Sequence, residues 1–325
     1  MRRAPGGHAI RLAVGVGIVA ILVGVYGIAD VARAISGAKP LLLAAAFGAF
    51  VAVFGLRVVR LGRILDRLGL IVARRSLAAI YLESMAAGWL LGGGVGSDSV
   101  RTYRLVKMNR EAAATVSAAL VERGTGVAAL ASLALVALVR MDELPVDPLL
   151  LGAVATASLG GSGVIVFLAS RLGALSDWLL TRRLRWPEWV HGFLREASRS
   201  PRLDDRRWWS MALDAYATGL MMQFAVLLSY ALMCAALRFS TTWVDVLTLF
   251  PLIEIASMVP LTANNLGVKE VLIVALLGRA GQEASGALGL SLVYRSFEAL
   301  LFTIGLVLLP AAQSTAHPSV GSDRR

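Results

Sequence analysis

The sequence predicts an all-α, polytopic membrane protein with about six spanning helices and two re-entrant or broken helical hairpins, arranged as an inverted repeat. Three observations carry that expectation. Of the 325 residues, 57% are hydrophobic and mean hydropathy is +0.72, more apolar side chain than a soluble domain of this length buries. The apolar residues gather in runs near the roughly 20 residues that cross a bilayer. Two runs break off midway at glycine and polar residues and then meet charge: 88–101 (GWLLGGGVGSDSVR) and 257–270 (SMVPLTANNLGVKE). Open backbone at membrane depth persists only where protein or a water-filled cavity satisfies its N–H and C=O groups. The two breaks therefore predict a polar site between helices, in a chain that moves something across a membrane.

The elements follow in order. Arg2, Arg3, an apolar run over 12–29 and small residues at 32–34 imitate a signal peptide. About 18 apolar residues exceed the usual signal core, so a retained first helix is expected there. Continuous spans are expected at 41–58, 112–139, 149–169, 211–237 and 284–310, and interrupted ones at 78–105 and 245–278. Residues 171–207 hold nine arginines and, with their flank, Trp178, Trp186, Trp189, Trp208 and Trp209. That composition predicts a basic amphipathic segment on an anionic cytoplasmic leaflet, with Pro187 and Pro201 preventing one continuous helix. Residues 1–310 are thus expected to form a single integral membrane domain, with repeats at about 12–139 and 149–310, and 311–325 a disordered cytoplasmic tail.

Net charge +11 and a pI near 10.7 raise the possibility of nucleic acid as partner, but the arginines lie between apolar segments, where they orient a protein in a membrane. No nucleic-acid partner is expected. Arg2, Arg3 and Arg11 put the N-terminus inside, and Arg57, Arg60, Arg63, Arg67, Arg74 and Arg75 are assigned to the next inside loop. Arg104, Lys107 and Arg110 follow the first hairpin inside, whereas Asp142, Glu143 and Asp147 mark an outside loop. Arg324 and Arg325 return the C-terminus to the cytoplasm, so both termini are expected on that side of the cell inner membrane. Helix, helix, interrupted segment, helix then occurs twice from opposite sides, an inverted-topology repeat. Gly96 precedes Arg123 by 27 residues and Gly267 precedes Arg295 by 28, in keeping with that repeat.

Cys234 is the sole cysteine, and His8, His191 and His317 all lie outside the apolar segments, so neither a disulfide, a metal site nor a cofactor is expected. Charge within the bilayer costs roughly 2.5 to 3.5 kcal/mol on insertion scales and marks function by default. Asp98 and Arg101 follow the first break, Glu122 and Arg123 lie in the helix after it, Lys269 and Glu270 follow the second break, and Arg295 and Glu298 lie in the last span. Arginine forks and half-helix N-termini suit an anionic, phospholipid-like head group, with the acids orienting the arginines or carrying protons. A plainer account competes: Arg295 and Glu298, three apart on one helix, neutralise each other. Glu122 and Arg123 point about 100° apart and are expected to meet partners on other segments. Glu83, Asp214 and Glu254 are acids in apolar surroundings without a motif, and the glycines at 92–94 and 96 also suit tight helix crossing.

The motifs GGGVGSDSVRTYRL, VERGTGVAAL, VPLTANNLGVKE and VYRSFEAL, in this order across 12–310, resemble the signatures of the lysylphosphatidylglycerol synthetase transmembrane-region family. The family's first signature resembles PGxxGDxxRAYxL, matched by Asp98, Arg101 and Tyr103, with Gly93 for the proline, Gly94 and Gly96 at the break, and Ser97 for a glycine. Glu122 and Arg123 match its ER pair. Its third, PxSPGGLGxRE, is matched by Pro260, Leu266, Gly267 and Glu270, with Lys269 for the arginine and Ala263, Asn264 and Asn265 replacing PGG. The resemblance implies a lipid flippase or lipid-carrier translocase, with anionic or polyprenyl- or hopanoid-type lipids as partners and lipid-synthesis enzymes beside it. Family members that synthesise lysyl lipid carry a soluble transferase domain after the membrane region. Here about 15 residues follow Pro310, so no enzymatic aminoacylation by this chain alone is expected.

Two other classes stay open: a membrane-embedded lipid-modifying transferase using paired carboxylates, and a non-transporting scaffold of a lipid-synthesis complex. No nucleotide-binding loop is present, so transport would be downhill, ion-coupled or driven by a partner.

Overall fold

The computed structural model describes residues 6–91, 94–139, 146–182, 187–199, 205–259 and 261–314, among which every regular element is helical. Five helices are long and apolar enough to cross a membrane, and a bent pair raises the number to six. The expected single helix over 12–29 is that pair. Helix α1 (Gly6–Tyr26) and α2 (Ile28–Ser36) meet at 86°. The turn falls on Gly27, at φ 79°, a conformation that side chains with a Cβ disfavour. Beyond it Asp30 and Arg33 pair along α2, which rests on the last helix and buries Val31.

Helix α3 (Pro40–Arg67) starts at a proline, whose missing N–H costs nothing in a first turn, and runs nine residues past the expected end at 58. Arg57, Arg60, Arg63 and Arg67 therefore stand on a helix, not in the expected inside loop. The reason is spacing: at intervals of three and four they share one sector of the helix, while Leu61, Ile64 and Leu65 beside them are buried. Arg60 itself is 3% exposed.

Helices α4 (Arg74–Leu91) and α5 (Gly94–Asn109) pack against each other as a hairpin at the first break. Gly93 lies outside the described residues, while Gly94 and Gly96 form the first turn of α5. Helix α6 (Ala112–Val136) precedes the acidic loop, whose Asp142 and Glu143 fall outside the described residues. Helix α7 (Pro148–Ser170) is capped by Asp147, which accepts from the N–H of Leu149 at 2.7 Å.

The basic segment forms two short helices, α8 (Leu172–Thr181) and α9 (Glu188–Arg199). Helix α9 does more than lie on a surface: Leu194 and Ala197 are buried, and Glu196 accepts from the N–H of Ala113 at 3.0 Å at the start of α6. Trp208, expected with the interfacial segment, instead lies in α10 (Asp205–Ala236), 6% exposed within the core. Helix α11 (Trp243–Ala256), a 3₁₀ turn (Ala263–Asn265) and α12 (Val268–Arg279) form the second broken segment, with Pro260 outside the described residues. Helix α13 (Ala284–Ser314) carries the chain four residues into the expected tail, and 315–325 lie outside the described residues.

Helices α3 and α10 pack along each other, with α6 against α7 and α10, and α13 against α4, α12 and α2. The order helix, broken segment, helix recurs as α3, α4–α5, α6 and as α10, α11–α12, α13. At the second break α1 crosses very close to the turn before α12. A Cβ on Gly15 would stand 2.9 Å from the Leu266 carbonyl oxygen, and one on Gly267, at φ 84°, 2.6 Å from Ile18 Cβ. Only glycine satisfies both the approach and the torsion.

Candidate functional site

In the first half, Arg101 on α5 donates to Asp98 on its own helix at 2.9 Å and to Glu122 on α6 at 3.0 Å. The hydroxyl of Tyr81 on α4 donates to the other Glu122 oxygen, and the Arg101 guanidinium lies 4.5 Å from the Tyr81 ring centroid. Arg123 on α6 donates to the second Asp98 oxygen at 2.9 Å. As their angular separation predicted, Glu122 and Arg123 meet partners on other helices. Arg60 closes the base of the cluster, donating to the Ala215 carbonyl at 3.0 Å and to the Glu122 carbonyl and Thr125 hydroxyl at 2.5 Å.

The second half repeats the plan with different residues. Arg295 on α13 donates to Glu270 on α12 at 2.7 Å, to Glu298 at 2.9 Å, and to the carbonyls of Asn264 and Asn265 at 3.2 and 3.1 Å. The Arg295–Glu298 pair expected on the plainer account therefore exists, inside a larger network. Glu270 also accepts from the Gly267 N–H at 2.6 Å, capping the start of α12. Lys269 donates to Glu254 on α11 at 2.7 Å, the Tyr230 hydroxyl donates to the same oxygen at 2.8 Å, and the Lys269 ammonium stands 4.0 Å from the Tyr294 ring centroid.

The two halves correspond in detail. Asp98 and Arg123 are 25 residues apart, as are Glu270 and Arg295, and each pair joins the helix after a break to the next helix. Each half also sets a cation against a tyrosine ring. The replacement of PGG by Ala263, Asn264 and Asn265 keeps the turn, because Asn264 and Asn265 adopt φ 48° and 51°. Asparagine tolerates this left-handed region better than other residues with a Cβ.

Two adjoining cavities of about 180 and 270 Å³ lie between these clusters. The first is walled by Asn264, Asn265, Lys269, Arg295 and Glu298, with Phe50, Val53, Phe54 and Leu301 as its apolar side. The second is walled by Asp98, Arg101, Glu122 and Arg123. Both share Arg57, Gly94, Val226, Glu254, Ser257, Asn265 and Tyr294, so both broken segments face one polar interior. Glu270 lies behind the wall, 1% exposed, and Tyr103 lines neither cavity and is 65% exposed. Tyr103 is thus removed from the expected site.

Sequence reasoning missed Arg57, Arg60, Tyr81, Tyr230 and Tyr294, and left Glu254 without a role. The available signal was α3 itself, since arginines spaced three and four apart beside buried leucines mark a helix face. Among the described residues, no group of three His, Cys, Asp or Glu side chains converges to hold a metal ion. The buried cations Arg101, Lys269 and Arg295 are instead each paired with a carboxylate, and removing one member of such a pair costs roughly 3 to 5 kcal/mol.

A helical bundle whose broken segments enclose a charged cavity defines a polytopic membrane protein with an internal polar site. The chain belongs to the lysylphosphatidylglycerol synthase transmembrane-region family, whose family model matches residues 9–305. Membership ties it to a membrane-lipid-related function. Comparison with curated proteins returned no match.

Proposed function

We propose that the chain is a lipid flippase or translocase that moves an anionic lipid or lipid-linked carrier across the cytoplasmic membrane, with both termini in the cytoplasm. The observation that carries this is the two-sided cavity. Cations and carboxylates from both broken segments face it, and Phe50, Val53, Phe54 and Leu301 give one lobe an apolar wall. A lipid needs both surfaces: polar groups to replace water around its head group, and apolar surface beside its acyl chains. Asp98, Arg101, Glu122, Arg123, Asn264, Asn265, Lys269, Arg295 and Glu298 line the path, and Glu270 holds Arg295 in place. The carboxylates keep the empty cavity from holding uncompensated cations in low dielectric.

Reconstitution into vesicles carrying a trace of fluorescent phosphatidylglycerol tests this. Added dithionite bleaches only outer-leaflet dye, so a working translocase exposes the inner-leaflet pool and drives bleaching toward completion. Bleaching that stops at the protein-free level with phosphatidylglycerol, cardiolipin and a polyprenyl phosphate alike would remove the proposal. A modified lipid formed in detergent extract, where sidedness has no meaning, would instead establish a transferase.

A further inference from the structure

Among the described residues, six cationic side chains belong to the cavity walls: Arg57, Arg60, Arg101, Arg123, Lys269 and Arg295. Five are held by acceptors at 3.0 Å or less, as described above. Arg57 is the exception among the described residues, with neither a hydrogen bond nor an ion pair, and it lines both lobes. It lines both lobes together with Glu254 and Tyr294 and the second lobe with Arg60 and Tyr81, which places it between the two networks. An arginine fork without an acceptor, at the junction of two polar lobes, is a ligand position awaiting an anion.

The balance of charge states which anion. The six cations face five carboxylates: Asp98, Glu122, Glu254 and Glu298 in the walls, and Glu270 bound directly to Arg295. Glu83 pairs with Arg104 outside both lobes and leaves the balance unchanged. One positive charge is left over; Arg60 donates its N–H groups to neutral acceptors, the Ala215 and Glu122 carbonyls and the Thr125 hydroxyl, so Arg57 is the wall arginine whose fork stays open to an anion. Arg57 is exposed where it lines the two lobes, and a monoanion there cancels the residual charge where a dianion or a zwitterion leaves charge behind.

We propose that Arg57 is the ligand for a monoanionic phosphodiester head group and sets the selectivity of the cavity for lipids of net charge −1. The proposal rests on the translocation reading only in placing a lipid in this cavity. The phosphodiester oxygens take the two parallel N–H groups of Arg57. Arg101, Arg123, Lys269 and Arg295 stay committed to their carboxylates and shape the site without contributing a free charge.

The test is displacement of fluorescent phosphatidylglycerol from the full chain in detergent micelles. Unlabelled phosphatidylglycerol should displace it at least about tenfold better than zwitterionic phosphatidylcholine, Arg57→Lys should keep that ratio, and Arg57→Gln should bring it near one. Arg57→Gln protein that melts like wild type yet keeps the full ratio overturns the assignment. Wild type alone tests the charge balance: equal displacement by phosphatidylcholine, or tighter displacement by dianionic cardiolipin, overturns it even if the glutamine variant does not fold. Glycerophosphoglycerol, the same head group without tails, should compete more than a hundredfold less well. Equal competition would make the ligand a soluble phosphodiester and overturn the lipid assignment. Selectivity that depends on Arg57 without movement in vesicles would refute translocation and uphold this inference. Movement at wild-type rate with unchanged selectivity in Arg57→Gln would do the reverse.

Discussion

Lys269 donates to Glu254 at 2.7 Å across the second break, and so ties the helix after the break to the helix before it. Its neighbour Glu270 faces away, toward Arg295 on the last helix. Adjacent charges that read as one motif in the sequence thus serve two joints, one within the broken segment and one between it and α13. The consequences of this wiring can be measured.

Arg295→Gln should be the most damaging single change in the site. It leaves Glu270, 1% exposed, without its cation, and frees the carbonyls of Asn264 and Asn265. A loss of about 3 to 5 kcal/mol is expected, read as lower thermal stability in detergent. Glu270→Gln combined with Arg295→Gln should recover part of that loss, since the orphaned charge is then gone. A double mutant whose cost equals the sum of the single costs would show that the two residues do not depend on each other.

Arg123→Gln should separate stability from movement. Its pair with Asp98 is partly open, at 37% and 32% side-chain exposure, so the cost to folding should be about 1 kcal/mol or less. Lipid movement in vesicles should fall by about tenfold, because Asp98 then faces the cavity with less compensation. A wild-type rate from well-folded protein would place the path away from α6.

Gly15→Ala and Gly267→Ala should each destabilise the second break, the latter more, because it combines a 2.6 Å clash with φ 84°. Gly17→Ala, with nothing within 4 Å of the added carbon, serves as the control on the same helix and should be neutral or mildly stabilising. If all three variants melt together, α1 does not hold the turn before α12.

Orientation follows from the arginine asymmetry, and cysteine labelling checks it in a Cys234→Ala background. Leu149→Cys, at an 83% exposed position beginning α7, should react with a membrane-impermeant maleimide in intact cells. Arg182→Cys, after α8, should react only once the membrane is permeabilised. The opposite pattern would invert the proposed topology.

Much of this architecture was legible in the sequence because membrane insertion is a local matter of length and hydropathy. The five continuous spans start and stop within a few residues of the apolar runs, except where α3 and α10 carry buried or amphipathic turns beyond them. Hydropathy alone ends the span at 58 and places Arg60 outside it, since it sums a window and ignores which side of the helix each residue takes. Gly27 was equally hard to read: a lone glycine inside an apolar run permits a bend, and packing of α2 on α13 accompanies the bend seen here.

By itself, the sequence determined that this is a helical membrane protein, where its two apolar segments break, and which charged residues gather beside the breaks. Each of those properties depends on residues close together in the chain. Only the tertiary structure decided which charges meet: Arg101 with Glu122, Arg123 with Asp98, Lys269 with Glu254, Arg295 with Glu270, and Arg57 and Arg60 with none among the described residues. A carboxylate accepts from whichever cation the packed helices bring within 3 Å. The fold sets that distance through the approach of α5 to α6 and α12 to α13, which no local pattern encodes.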